Sequence, residues 1–347
     1  MYDLLVLGDD VAGLATAKRA ARLGLSVGLI CPPVDALRSG MFLSESLRGM
    51  VPELAVDVLR GRGNFRPKFS LSELRQLLIP RVEYFAHMLF ERLRGIGTDI
   101  RQGYARFLDE RTVEVGGTDM AQVLRSNNFV IAMGAEHGTN ARTQQLEGLV
   151  LNTDEILCAE PMPGRLVIVG ADATAIEFAG LFAVAGSRVT VVDGATGLQH
   201  FDDDEIDTLI DIAMALGVSF RLGATVIGMD RCDSGGAGTI NVHLDNGSHI
   251  NTDRVLMTTK RLGRTRSMDL QSAGLVTDDC HRLWCDQQCR TWQPHIFGVG
   301  DVVGFTPQDL NAMAQAEIVM QALSMSSHIP APLGLQRKRA GSPFRVV

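Results

Sequence analysis

Leu4-Leu5-Val6-Leu7-Gly8-Asp9-Asp10-Val11-Ala12-Gly13 is an apolar run that ends in a glycine turn, passes into a helical stretch to Leu23, and is followed by a second apolar run, Ser26 to Ile30. The same order returns with Leu166-Val167-Ile168-Val169-Gly170-Ala171-Asp172-Ala173-Thr174-Ala175, a helical stretch to Ala185 and the run Arg188 to Val192. Strand, tight turn, helix, strand is the βαβ unit that holds a dinucleotide on a G-x-G-x-x-G/A loop. The chain therefore reads as α/β, with two Rossmann-like units. In both loops the middle glycine has become aspartate, Asp10 and Asp172. The first glycine makes the turn, the middle one lets backbone reach the pyrophosphate, and the third lets helix pack on strand. Gly8 with Gly13, and Gly170 with Ala175, keep the first and third roles. A carboxylate at the middle position sets a negative charge where phosphates sit on a helix N-terminus. At about 4 Å and an effective dielectric near 20, such a contact costs about 4 kcal/mol. That is about a thousandfold in affinity. The carboxylate has two ways out: it swings into solvent, or it caps its helix and favours an empty loop.

With 347 residues, 46% of them hydrophobic and 21% charged, the chain is long and apolar enough for two cores of ordinary size. A net charge of −7 argues against a nucleic-acid surface. Every apolar run is broken by charge within a few residues, so no membrane span is expected. Asp3, Asp9 and Asp10 precede any basic residue, which excludes a signal peptide. Six cysteines without an export signal read as reduced thiols of a cytoplasmic protein.

Between the two βαβ units, Ser39 to Val51 reads as a Gly/Ser-bearing connection. Arg60 to Lys68, with Arg62 and Arg66, reads as a solvated basic turn ahead of a binding patch. Ser70 or Ser72 caps a long amphipathic helix to about Arg94, with a bend expected near Pro80. Short strands over Asp99 to Val115, a hairpin at Gly116-Gly117 and the buried strand Phe129 to Gly134 follow. Ala135 to Leu151 reads as a crossover into the second unit, which ends near Val255 to Thr259. The remainder reads as strand-rich up to a helix over Asp309 to Met325, with a mobile tail from Pro330.

Several stretches in register resemble the pyridine nucleotide–disulphide oxidoreductases, flavoproteins with two dinucleotide-binding domains. Within them the chain is similar to the soluble pyridine nucleotide transhydrogenases. Gly103-Tyr104-Ala105-Arg106-Phe107-Leu108-Asp109 matches the family's G-x-A-x-F-x-D strand, Phe129 to Gly134 its A-T-G strand, and Glu177-Phe178-Ala179 its E-x-A signature. Thr291-Trp292-Gln293-Pro294-His295-Ile296-Phe297-Gly298-Val299-Gly300-Asp301 matches T-x-x-x-x-I-[FY]-A-x-G-D.

The resemblance implies an FAD-type domain over residues 1–148 and 266–329, interrupted by an NAD(P)-type domain over 149–265, with 330–347 as the tail. It implies FAD against Gly8, Gly13, Gly134, Gly300 and Asp301, with the Asp301 carboxylate on a ribityl hydroxyl. The plain alternative for Asp301 is a cap on the following helix. NAD(H) would lie against Gly170, Ala175, Glu177 and Asp193. Asp193 closes its strand where a carboxylate bonds both ribose hydroxyls, and no arginine follows through His200, so NAD(H) is preferred over NADP(H). Glu177 has two readings, a carboxylate beside the nicotinamide or an ordinary surface or interdomain charge.

The departures from the family bear on activity. The acidic residue expected on the AMP ribose falls at Cys31, and the redox cysteine pair falls near Phe42 and Leu47. The flavin-contacting lysine falls at Val51, and a G-R pair at Lys260-Arg261. The family's dimerisation domain, with its His-Glu pair, would begin where the chain stops. The expectation is an FAD-dependent NAD(P)H oxidoreductase of soluble-transhydrogenase type, passing hydride between nicotinamide and flavin without a redox disulphide. The rival is a catalytically dead protein with degenerate nucleotide sites whose surface binds a partner protein. No metal is expected. Cys280, His281, Cys285 and Cys289 lack paired C-x2-C knuckles and read as core thiols. Asp202-Asp203-Asp204-Glu205 reads as a helix start.

Overall fold

The computed structural model describes residues 1–38, 40–60, 69–117, 121–138, 146–196, 198, 204–232, 238–259, 261–304 and 311–326. Arg62, Arg66, Lys68, Lys260, Asp202, Asp203, the start of the last helix at Asp309 and the tail from Pro330 lie outside the described residues.

The opening run forms β1 (Tyr2–Leu7), α1 (Val11–Arg22) and β2 (Val27–Cys31), within a residue or two of the boundaries the sequence implies. After α2 (Met41–Arg60) and α3 (Leu71–Arg94) come β3 (Asp99–Gln102), β4 (Tyr104–Asp109), β5 (Thr112–Gly116) and β6 (Gln122–Ile131). The sheet runs β3-β2-β1-β6, all parallel, and then turns antiparallel through β5 and β4. A late strand, β17 (Ile296–Gly298), returns to pair parallel with the end of β6. Parallel strands covered on both faces must be apolar throughout, and β1 shows it: Leu4, Leu5, Val6 and Leu7 are all fully buried.

Gly8 and Gly13 are required by contact. Gly8 sits at φ +112°, where a Cβ would lie 2.1 Å from the Ala132 carbonyl oxygen, and a Cβ on Gly13 would lie 2.3 Å from that of Ala132. The first turn is thus pressed onto the end of β6, which brings Gly8, Gly134 and the Gly300-Asp301 turn after β17 to one sheet edge.

After β7 (Ala135–His137), the second unit runs β8 (Val150–Leu151), β9 (Arg165–Val169), α4 (Ala173–Val184), β10 (Arg188–Asp193), α5 (Asp204–Ala215) and β11 (Ser219–Leu222). Then follow β12 (Val226–Arg231), β13 (Ile240–Leu244), β14 (His249–Thr252), β15 (Arg254–Met257) and β16 (Arg261–Gly263). Its sheet is parallel in the order β11-β10-β9-β15-β8, with β12-β13-β14 as an antiparallel sheet of its own. Strands β7 and β16 pair antiparallel. The chain closes on α6 (Ala312–Ser326). Asp204, Glu205 and Asp207 lie in the first turn of α5, where acids favour the helix dipole. Among the described residues no helix is long and apolar enough to cross a membrane.

Two expectations are corrected. From Met41 on, the connection placed over Ser39 to Val51 is helix, part of α2. Leu43, Leu47, Met50 and Val51 fall at helical spacing and are buried. Burying each stabilises by about 1.5–3 kcal/mol, which outweighs about 1 kcal/mol for the exposed Gly49 in a helix. The helix also continues through Pro52. The remainder after β16 is not strand-rich: among the described residues it holds β17 and isolated bridges such as Thr277–Leu283 and Arg290–Phe297. Asp278 accepts the backbone N–H groups of Cys280 and Arg282, and Asp286 those of Gln288 and Arg290. Such side-chain bonds replace ladder bonds. Helix α3 behaves as expected, with Ser70 and Glu73 in a reciprocal capping box.

Candidate functional site

The two aspartates that displaced the motif glycines both cap their helices. Asp10 Oδ1 accepts the Ala12 N–H at 3.0 Å, and Asp172 Oδ1 accepts the Ala175 N–H at 2.9 Å. Of the two outcomes open in the sequence, the cap is the one observed. The Asp10 carboxylate is also wedged against the Gly300-Asp301 turn. A Cβ on Gly300, which sits at φ +74°, would lie 2.4 Å from Asp10 Oδ1. The Gly300 N–H itself goes to Gln315 Oε1 on α6 at 2.6 Å.

Arg261 on β16 joins the two loops. One of its terminal nitrogens donates to Asp172 at 2.9 Å and the other to Asp301. The arginine of the displaced G-R pair therefore binds both the extra carboxylate of the second loop and the acid that closes the first site. Nearby, Arg264 donates to Asp154 at 2.7 Å, and Arg38 lies 3.4 Å from the same carboxylate.

Glu177 on α4 is only 2% exposed. Its Oε1 accepts from Ser44 Oγ at 2.6 Å and Arg48 Nε at 2.8 Å, both on α2. These are the contacts of a charge between elements. Phe42 and Leu47 are buried on the same helix, and Val51 packs so close to Gly180 of α4 that a Cβ there would lie 2.9 Å away. Asp193 ends β10 with its Oδ1 accepting the Ala195 N–H at 2.7 Å.

Beside Asp193, a cavity lined by Val169, Val192, Thr225, Met257 and Thr259 encloses about 420 Å³. That lies within the roughly 300–1,000 Å³ of small-molecule sites. Around the first glycine turn, two adjoining cavities enclose about 280 and 200 Å³, with Asp9 and Arg264 in the walls of both. Asp10, Glu177, Arg261 and Asp301 line the smaller one.

Sequence reasoning did not single out Ser44, Arg48, Arg38, Arg264 or Asp9. The i, i+4 spacing of Ser44 and Arg48 is a usable signal, but only once that stretch is known to be helical. For Arg264 and Arg38 no local signal exists. Among the described residues no group of His, Cys, Asp and Glu forms a metal-binding cluster. In the cysteine segment, Cys289 is buried, and burial pushes the Cys285 thiol up to about 12 and the Cys289 thiol up to about 11.

Burial, then the neighbouring Asp301 charge, pushes the Asp10 carboxyl up to about 7. Burial also raises Asp9, against Arg264 and Arg38, and Glu177, against Ser44 and Arg48. A carboxyl raised in the folded state binds its proton more tightly there than in the unfolded chain. Folding stability from Asp10 therefore falls as pH rises from the ordinary value of 3.8 through about 7, and Asp9 and Glu177 act in the same direction. The melting temperature should climb as pH is lowered through this window, and the climb should shrink in Asp10→Asn. An unchanged profile in that variant would remove Asp10 from the account.

A family model for pyridine nucleotide-disulphide oxidoreductases matches residues 2–322. The chain belongs to the pyridine nucleotide-disulphide oxidoreductase family. It is 28% identical to a soluble pyridine nucleotide transhydrogenase of Mycobacterium bovis, over 91% of this chain and 69% of that one. It is 27% identical to dihydrolipoyl dehydrogenase 2 of Haloarcula marismortui, over 92% and 70%. The crystal structure of LpdA from Mycobacterium tuberculosis superimposes with a TM-score of 0.70 at 21% identity, covering 92% of this chain and 72% of that chain, which is a likeness of fold. By lineage the chain is thus a pyridine nucleotide oxidoreductase of the FAD-dependent, transhydrogenase-like kind.

The residues present do not fit the family's flavin. The Asp10 carboxylate fills the space between the α1 N-terminus and Gly300, Arg261 holds Asp301, and Cys31 is buried with its thiol pushed to about 12, a poor acceptor for ribose hydroxyls.

Proposed function

We propose that this protein is a transhydrogenase-like member of the family whose flavin seat is closed by its own side chains. In this reading it carries out no flavin-mediated hydride transfer and keeps a weak NAD(H) site. One observation carries the reading: the carboxylate that replaced the middle glycine of the first motif lies on the anion-binding end of α1 with Gly300 directly against it. Residues 1–148 with 266–329 then form the closed flavin-type unit, and 149–265 the nicotinamide-type unit. NAD(H) is preferred over NADP(H), because Asp193 offers its remaining oxygen to a ribose hydroxyl and would repel a 2′-phosphate. Asp172 weakens the site, although its pairing with Arg261 offsets part of the charge.

A second reading has its own support. Gly8, Gly13, Gly134, Gly300 and Asp301 converge on the ends of β1, β6 and β17, where the family's flavin binds, and a flavin-retaining oxidoreductase would use that edge. Soaking the purified chain with FAD, desalting it and recording the visible flavin absorbance separates the two. A colourless, folded protein whose melting temperature rises modestly with NADH is the expected result. Retained flavin together with NADH oxidation would overturn it in favour of the second reading.

A further inference from the structure

We infer that the Asp10 carboxylate is a built-in occupant of the dinucleotide's pyrophosphate seat, taking the place of the phosphate and shutting it out. This rests on the reading above and gives it a mechanism. A pyrophosphate on a helix N-terminus is held by backbone N–H groups and by the helix dipole. Asp10 draws on the same sources within the chain. Its Oδ1 takes the Ala12 N–H of α1 at 3.0 Å, and the carboxylate lies directly against the Gly300-Asp301 turn. Its two oxygens would lie 2.4 and 2.7 Å from a Cβ on Gly300, and one would lie 3.5 Å from a Cβ on Gly134. The two glycines that would admit a phosphate from the far side of the seat thus admit this side chain. The Asp10 N–H is tied to the Ala132 carbonyl at 3.1 Å, so the residue is anchored to the end of β6.

The other charges around the seat are arranged to match. Asp301 points its carboxylate at Arg261, and Arg261 reaches on to Asp172. An incoming dianion would have to displace Asp10 without gaining a free cation from this triad. Exclusion of phosphate is therefore steric, with an electrostatic share that grows as the Asp10 carboxyl ionises above about pH 7.

The test is thermal unfolding of the full chain with and without inorganic pyrophosphate, in the unaltered protein, Asp10→Gly and Asp10→Asn. Pyrophosphate should leave the unaltered chain where it is. It should raise the melting temperature of Asp10→Gly by about 5 °C at about a hundredfold excess over its Kd. Asp10→Asn keeps a capping oxygen and drops the charge, so it should show a smaller rise, and it carries the test if the glycine variant does not fold. An equal shift in the unaltered chain, or no shift in a folded variant, overturns the inference. Tight FAD retention by the unaltered chain would instead sink the reading on which it rests, so the two failures are told apart.

Discussion

Replacing Arg48 by alanine should lower the free energy of unfolding by about 3–5 kcal/mol, the usual cost of leaving one member of a buried ion pair without its partner. Glu177 is 2% exposed and takes the Arg48 Nε at 2.8 Å, so the loss strands a carboxylate between α2 and α4. Only the Ser44 hydroxyl would remain to it of the two bonds described above. Urea unfolding of the two proteins side by side measures the difference. Glu177→Gln, which removes the charge and keeps an acceptor for Ser44 and Arg48, should cost much less. The deficit of Arg48→Ala should also shrink as pH falls, because without Arg48 the Glu177 carboxyl is raised further and takes up its proton earlier. A loss below about 1 kcal/mol would place the pair with ordinary surface bridges.

The second large effect concerns ligand. Restoring glycine at both loops, as Asp10→Gly with Asp172→Gly, should tighten FAD binding by up to about a thousandfold at pH well above 7, where the Asp10 carboxyl is ionised, and by much less near pH 7. The estimate is the roughly 4 kcal/mol of a like-charge contact at about 4 Å in a medium of dielectric near 20. Removing Asp172 also frees one arm of Arg261, which now bonds it at 2.9 Å, to meet a phosphate. Fluorescence titration with FAD reads the change. If affinity does not rise, repulsion is not the main defect, and the missing acceptor at Cys31 becomes the first suspect. Its thiol is buried and ionises only at about 12.

The contrast between α1 and α2 shows where sequence reading stops. Helix α1 announces itself by a glycine turn, an aspartate cap and small residues on a buried face, all within a dozen positions. Helix α2 carries Gly49 and Pro52, which locally argue against a helix, and its apolar face is satisfied by packing on α3, α4 and α5. The reading as a connection followed the local signals, and tertiary burial decided otherwise. The site divides in the same way. Gly8, Gly13, Gly170, Ala175, Asp193 and the Gly300-Asp301 turn were legible because each belongs to a short motif with a fixed spacing. Arg48, Arg261 and Arg264 find partners 129, 89 and 110 positions away, and no local pattern encodes such pairings.

By itself, the sequence determined the two βαβ units and the two misplaced carboxylates, because turn, cap and strand signals act over a few neighbouring residues. What those carboxylates do was decided only by the tertiary structure. Whether Asp10 faced solvent or the anion seat depended on Gly300, brought to it by the pairing of β17 with β6. Whether Asp172 stood alone depended on Arg261, which β16 carries across to Asp172 and Asp301. A charge is defined by its residue, but its consequence is set by the dielectric and the partners around it, and those are assembled only when distant segments meet.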